Sequence, residues 1–381
     1  MEIKTGKILA MSTYPSFNPN ERNISTFNNY FLEGTIECGS VFKPFIYADS
    51  IEEGKYDHNA YYNSGSYNVY YGNKLVATIK DHNGGQGWGT ITYDQGLYHS
   101  SNVAICNLLD QGYVTKDVLT EKLNDLGFFQ GDTMDGLTCS SSINAYTRKN
   151  AGRLEYLTTG FGQGSTVTPY QLLKAYSVFG NDGKTVQPHI VDKVVNPETN
   201  KVVYQATPKY SKQIFSTNTI SQVKDLMLGV IEDEQGTGKT YRLDNDVRMI
   251  GKTGTGQVVE NGGYSTTLYM HSFVGIAPYD DPQVVMFLTF KSGDSYAQYM
   301  PNIVKQTMNE ALQVVNRYNA KNTTAVDQSC TLDSYTNQSV NYVKSKLESK
   351  SLSVQIIGNG SSVIEQYPLA KSKVTSGDKV F

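Results

Sequence analysis

MIGKTGTG at residues 249–256, LYMHSFVGIAP at 268–278 and QVVMFLTF at 283–290 are three β-rich runs broken by Gly- and Pro-containing turns. That is the pattern of an antiparallel meander. Working outward, an amphipathic helix over about 301–317 is placed to pack on this sheet. Upstream, 217–232 reads as a helix and 201–206 as a strand. Thr168–Phe179 carries Pro at an early helical position and stops at Gly180. Earlier still, TKDVLTEKLNDLGF predicts an amphipathic helix closed by Gly127, and SSNVAICNLLD a helix starting from a serine cap near Ser100. Residues 58–95, rich in Tyr, Asn and Gly, predict short strands and loops. SVFKPFIYADSIEEG after Gly39 predicts a helix whose first turn holds Pro44. Residues 5–12 read as a turn and a short apolar strand. Helices gathered in the middle with strands at both ends indicate an α+β (mixed α/β) protein with a central antiparallel sheet flanked by helices.

At 381 residues the chain is long enough for two or three domains. Residues 318–336 are polar and nearly free of apolar side chains, which predicts a first domain over 1–318, a linker over 319–329 and a small αβ domain over 330–381. Within the small domain the pattern predicts a helix at about 338–350, a strand at 352–357, a GNG turn at 358–360 and a strand at 362–367.

Hydrophobic residues make up 39% and charged residues 18%, enough apolar side chains to bury a core. The net charge of −3 offers no electrostatic footprint for nucleic acid. No apolar run is long enough for a bilayer-spanning helix, and the N-terminus lacks the pattern of a signal peptide. Cys38, Cys106, Cys139 and Cys330 form no CxxC pair, and the five histidines show no metal-binding spacing. No metal site is expected from this spacing, and the cysteines read as buried thiols.

Three short motifs carry the chemistry. Ser40-Val41-Phe42-Lys43 puts a hydroxyl and an amine at i and i+3, on one helical face. A serine becomes a nucleophile when something takes its proton, and a lysine with a lowered pKa can do so. Ser100-Ser101-Asn102 supplies a hydroxyl able to relay a proton and an amide able to hold a carbonyl, although an N-cap explains the same residues. Lys252-Thr253-Gly254 combines a cation and a hydroxyl for a carboxylate with a glycine that allows close approach. A strand bearing it can pair with an extended peptide. Lys4-Thr5-Gly6 repeats the last motif at the N-terminus and reads as a decoy.

SxxK, SxN and KTG in this order resemble the transpeptidase domain of class B high-molecular-mass penicillin-binding proteins. TGKILAMSTYPSFNPN (5–20), ECGSVFKPF (37–45), TTGFGQGSTVTPYQLLKAYSVFGNDGK (158–184) and SFVGIAP (272–278) extend the resemblance over roughly residues 4–317. VQIIGNGSSVIEQYPLAKSKVTSGDKV (354–380) resembles a PASTA domain. The resemblance implies the penicillin-binding/β-lactamase-like fold and a peptidoglycan D,D-transpeptidase that cross-links stem peptides and is acylated by β-lactams. It assigns Ser40 as nucleophile, Lys43 as its base, Ser100 as proton shuttle and Asn102 as the residue that orients substrate and Lys43. Lys252 and Thr253 would bind the substrate carboxylate. The backbone N–H groups of Ser40 and Thr255 would form the oxyanion hole, with Gly254 leaving room. Stem peptides, β-lactams and other cell-wall synthesis proteins are the implied partners, at the extracytoplasmic face of a bacterial membrane. The family's usual anchor and N-terminal pedestal would lie ahead of residue 1, so the chain is expected to be a piece of a longer protein. A carboxypeptidase or β-lactamase of the same superfamily, and a sensor that is acylated without turnover, are the alternatives.

Three further features are set aside. GTGKT at 236–240 looks like the tail of a P-loop, but position 233 is Asp where the loop needs Gly. His99, beside Ser100, is expected at the surface or in a cap. Cys38 stands two residues before Ser40, where the family commonly has Pro.

Overall fold

The protein is described by a computed structural model covering residues 1–381 apart from positions 15, 22, 25, 245, 261, 324–328, 351 and 376–377. Contacts divide it into two units, 1–312 and 313–381.

In the first unit, Gly39–Phe42 forms a 3-10 turn that runs directly into helix α1 (Lys43–Glu52), with Pro44 in its first turn as anticipated. Proline is tolerated there because the N–H it lacks has no intrahelical partner. A hairpin, β1 (Ser66–Tyr71) and β2 (Lys74–Lys80), follows. Next come α2 (Tyr93–Tyr98), α3 (Asn102–Asp110), α4 (Lys116–Asp125), α5 (Pro169–Tyr176) and α6 (Thr217–Glu232). Thr92 and Gln95 close a capping box on α2, as Thr168 and Gln171 do on α5.

The expected meander is present as β3 (Ile250–Glu260), β4 (Gly263–Ala277) and β5 (Val284–Ser292), in the order β5-β4-β3 and antiparallel throughout. Lys252 pairs with Val274 and Thr255 with His271, so the KTG segment lies on an edge of the described sheet. The N-terminus contributes less than expected. Residues 8–12 form no strand; Glu2 bridges Val284, and Lys7 bridges His189.

Phe45, fully buried on α1, packs against Phe128, Tyr176 and Phe179 with ring centroids 5.2, 5.1 and 5.6 Å away. Tyr176 Oη donates to Val41 O at 2.6 Å. Hydrophobic burial, this bond and the one from Gly39 N to Gly162 O at 3.0 Å thus hold the 3-10 turn on the core. Helix α7 (Met300–Thr323) runs through the first part of the expected 319–329 linker, because extending a formed helix costs little even for polar residues. The rest of that linker, 324–328, lies outside the described residues.

The second unit has its own core of Leu332, Tyr335, Val343, Leu347, Leu352, Val374 and Val380. Its elements are β6 (Ser329–Thr331), α8 (Val340–Ser349), β7 (Ser353–Val354), β8 (Lys373–Thr375) and β9 (Lys379–Val380). β6 pairs antiparallel with β8, and β7 parallel with β9. The expected strand at 362–367 does not form, and the one at 352–357 shrinks to two residues. The backbone of this stretch bonds to two separate segments, Val363 with Asn337 and Gln338 and Tyr367 with Phe381, so no continuous ladder forms. Between them buried Gln366 accepts from Tyr335 N at 2.7 Å and donates to Asp333 O at 3.1 Å.

Candidate active site

Ser40 sits inside the 3-10 turn, and the Lys43 N–H donates to Ser40 O. Residues i and i+3 of a 3-10 turn eclipse, so the two side chains stand one above the other. The turn is pressed against β3 at a distance only glycines allow. A Cβ on Gly254 would lie 2.8 Å from Cys38 O, and one on Gly39 2.6 Å from Thr255 O. Gly39 also has φ +62°, the left-handed region that disfavours other residues. Gly254 therefore makes room for the turn that carries Ser40.

Lys43 and Lys252 are both fully buried and both reach Ser100. Lys43 Nζ donates to Ser100 O at 2.5 Å and lies 3.5 Å from Ser100 Oγ. Lys252 Nζ donates to Ser100 Oγ at 2.8 Å and to Thr253 O at 2.9 Å. Burial pushes the Lys43 amine down to about 7, with Asp81 opposing the shift. Lys252 is driven well below its ordinary value, first by burial and then by the neighbouring Lys43 charge. Among the described residues, the side-chain hydrogen bonds of Lys43 go to Ser100 rather than to Ser40.

Ser100 is not the helix cap. Ser101 is, accepting from Ala104 N at 3.0 Å, while Ser100 turns into the left-handed region at φ +59°. Such a conformation costs about 1–3 kcal/mol in a non-glycine residue. It points the Ser100 carbonyl and hydroxyl at two different lysines. Asn102 opens α3, and its amide donates to Lys80 O at 2.9 Å rather than contacting Lys43.

Sequence reasoning missed Asp81, which is 2% exposed. Its Oδ1 accepts from Ser101 Oγ (2.8 Å), Asn102 N (2.7 Å) and Val103 N (3.1 Å), and its Oδ2 from Gly65 N (2.8 Å). The carboxylate meets the positive end of α3 and the orphan N–H groups there. One aspartate beyond β2 thereby locks the SxN segment. His99 is the C-cap of α2, as anticipated, and it is buried rather than at the surface. It is 6% exposed and stacked on Trp88, with centroids 4.4 Å apart and planes at 8°. His82 lies 5.4 Å from the same indole, and its pKa is lowered by burial and then by Lys43 and Lys252.

Thr253 Oγ1 donates to Thr237 Oγ1 at 2.8 Å, so the GTGKT segment borders the site without being a phosphate loop. The N-terminal KTG copy is elsewhere, with Lys4 Nζ on Gly180 O and Thr5 Oγ1 on Glu2. Cys38 is buried, and burial raises its thiol pKa well above normal.

The turn that carries Ser40, two buried amines and a shared serine beside a strand edge form one constellation, and comparison with known proteins gives it a family. Residues 1–313 match the penicillin binding protein transpeptidase domain, and residues 331–381 the PASTA domain. The chain belongs to the penicillin-binding protein transpeptidase family. Stage V sporulation protein D of Bacillus subtilis (strain 168) is 30% identical over 400 residues, covering 100% of this chain and 59% of that protein. The peptidoglycan D,D-transpeptidase FtsI homolog of Mesostigma viride is 28% identical, covering 74% of this chain and 50% of that protein. This penicillin-binding protein chain thus spans between half and three-fifths of those curated relatives. Penicillin binding protein 2X from Streptococcus thermophilus shares the fold with a TM-score of 0.73 at 22% identity, over 100% of this chain and 57% of that one. The α+β class and the two-family organisation agree with the expectation from sequence. Among the described residues no helix is long and apolar enough to cross a membrane.

Proposed function

We propose that the chain is the catalytic part of a peptidoglycan D,D-transpeptidase working through a Ser40 acyl-enzyme. The observation that carries this reading is the convergence of Lys43 and Lys252 on Ser100, beside the turn that holds Ser40. The Ser40 hydroxyl attacks the carbonyl of the penultimate D-alanine, and its proton passes to neutral Lys43. The resulting oxyanion is met by the N–H groups of Ser40 and Thr255, where one such donor is typically worth about 10²–10³ in rate. As the C–N bond breaks, Ser100 delivers a proton to the departing D-alanine amine and is resupplied through the lysines. An amine from a second stem then attacks the ester, loses a proton and frees Ser40. Lys252 and Thr253 bind the terminal carboxylate, and Asn102, held by Lys80 O, orients the donor peptide. The chemistry needs no cofactor or metal.

β-Lactams, which copy the D-Ala-D-Ala end, acylate Ser40 in this reading. The site faces the cell wall outside the cytoplasm, and other cell-wall synthesis proteins are its partners. We assign residues 1–318 to the catalytic domain and 330–381 to the PASTA-like domain.

Incubation with a fluorescent penicillin, followed by intact mass over time beside Ser40→Ala, tests this. One lasting adduct, absent in the variant, together with D-alanine release and a cross-linked product from a stem pentapeptide and an amine acceptor, is the expected result. An adduct that disappears within seconds would make the protein a β-lactamase. Lasting acylation without any stem-peptide product would make it a sensor.

A further inference from the structure

We propose that Thr237 is a specificity-determining residue of the donor-carboxylate site, acting through Thr253. The inference deepens the transpeptidase reading and rests on it.

Thr237 lies in the Gly236-Thr237-Gly238 turn just beyond α6, and the packing of that turn leaves it little freedom. A Cβ on Gly236 would fall 2.4 Å from Val230 O, and one on Gly238 2.6 Å from Ile231 Cδ1. Gly238 N donates to Val230 O at 2.9 Å, so the turn is clamped against the last turn of α6. On its other side Thr237 N donates to Tyr98 O at 3.0 Å, at the end of α2 and two residues before Ser100. The turn therefore ties the SxN segment to the KTG strand. From this platform the Thr237 hydroxyl meets that of Thr253 at 2.8 Å, beside Lys252.

A hydroxyl has one proton to donate and two lone pairs with which to accept. Without substrate, Thr253 gives its proton to Thr237. When a carboxylate docks at Lys252, the Thr253 proton turns to it, and a Thr253 lone pair is left facing Thr237. The Thr237 hydroxyl then donates into that lone pair. Two hydroxyls in series polarise each other and strengthen the bond to the anion. No proton is transferred; only the two O–H bonds rotate. A donor without the negative charge has no use for this chain. Thr237 thus favours donors with a free terminal carboxylate over neutral ones.

The test compares acylation by an acyl-D-alanyl thioester bearing a free carboxylate with acylation by its methyl ester, in wild type and in Thr237→Val, Thr237→Ala and Thr237→Ser. Valine keeps the shape and the backbone N–H, and melting temperature reports folding for each variant. We expect Val and Ala to lower the carboxylate-over-ester rate ratio about tenfold, the scale of a hydrogen bond to a charged group. Serine should restore the ratio. An unchanged ratio in both Val and Ala, whether or not both rates fall together, overturns the inference while wild-type acylation of Ser40 upholds the transpeptidase reading. Wild type that is acylated by neither ester nor penicillin overturns both. Thr237→Ser behaving like Thr237→Val would show that packing of the methyl group matters, and would also overturn it.

Discussion

Lys252 Nζ lies 2.8 Å from Ser100 Oγ, although the two residues are 152 positions apart and the lysine is completely buried. Ser100 is thereby the meeting point of two amines, one from the helix that follows Ser40 and one from the edge strand. Two cations so close in a buried site repel each other, which favours a neutral amine at one of them.

That electrostatic arrangement has a pH signature. The Lys43 amine, brought to about 7 by burial, is a base only when deprotonated. The second-order rate of penicillin acylation should therefore rise with pH through about 7 and level off above it. Stopped-flow fluorescence between pH 5.5 and 9 checks this; a flat or falling profile would remove Lys43 from the role of base.

Lys43→Ala should lower acylation by about 10²–10⁴-fold, the usual contribution of a general base. The change should leave far-ultraviolet circular dichroism intact. An unaltered acylation rate in a folded variant would assign the base elsewhere.

Asp81→Ala should destabilise the protein by about 3 kcal/mol or more, because several buried donors at the start of α3 lose their acceptor at about 1–3 kcal/mol each. Acylation should fall as well, since Ser100 and Asn102 flank the residue that Asp81 holds. Urea melts beside acylation rates test both effects. Full stability in the variant would mean that another group caps α3.

Phe45→Ala should cost about 3–5 kcal/mol, the usual range for a buried aromatic. Phe45 supports the turn that carries Ser40, so the loss should appear in the melting temperature and in acylation together. A change under about 1 kcal/mol would show that the aromatic cluster around Phe128, Tyr176 and Phe179 closes over the gap.

Native Cys38 should resist iodoacetamide at pH 8 and react only after unfolding, because burial raises its pKa and hides the sulfur. Peptide mapping after alkylation decides this. Rapid labelling of folded protein would mean that the 37–41 segment opens.

Local order was open to reading because it depends on neighbours in sequence. The three-strand meander, α4 with its closing Gly127 and α6 were evident from apolar spacing and turn residues. That Ser40 and Lys43 share one turn followed from their i,i+3 spacing. Where the second unit departs from expectation at 362–367, the backbone bonds are divided between 337–338 and Phe381, and nothing in the alternation of residues announces that.

By itself the order of residues determined the fold class, the three motifs and the family, since periodicity and motif spacing are written in contiguous residues. Tertiary structure alone decided which of two adjacent serines caps α3, that Asp81 is buried to hold it, that His99 stacks on Trp88, and that a rejected GTGKT segment brings Thr237 to Thr253. Each of these depends on burial and on hydrogen bonds closed across long loops. Their energy comes from removing groups from water in three dimensions, which leaves no repeat in the chain.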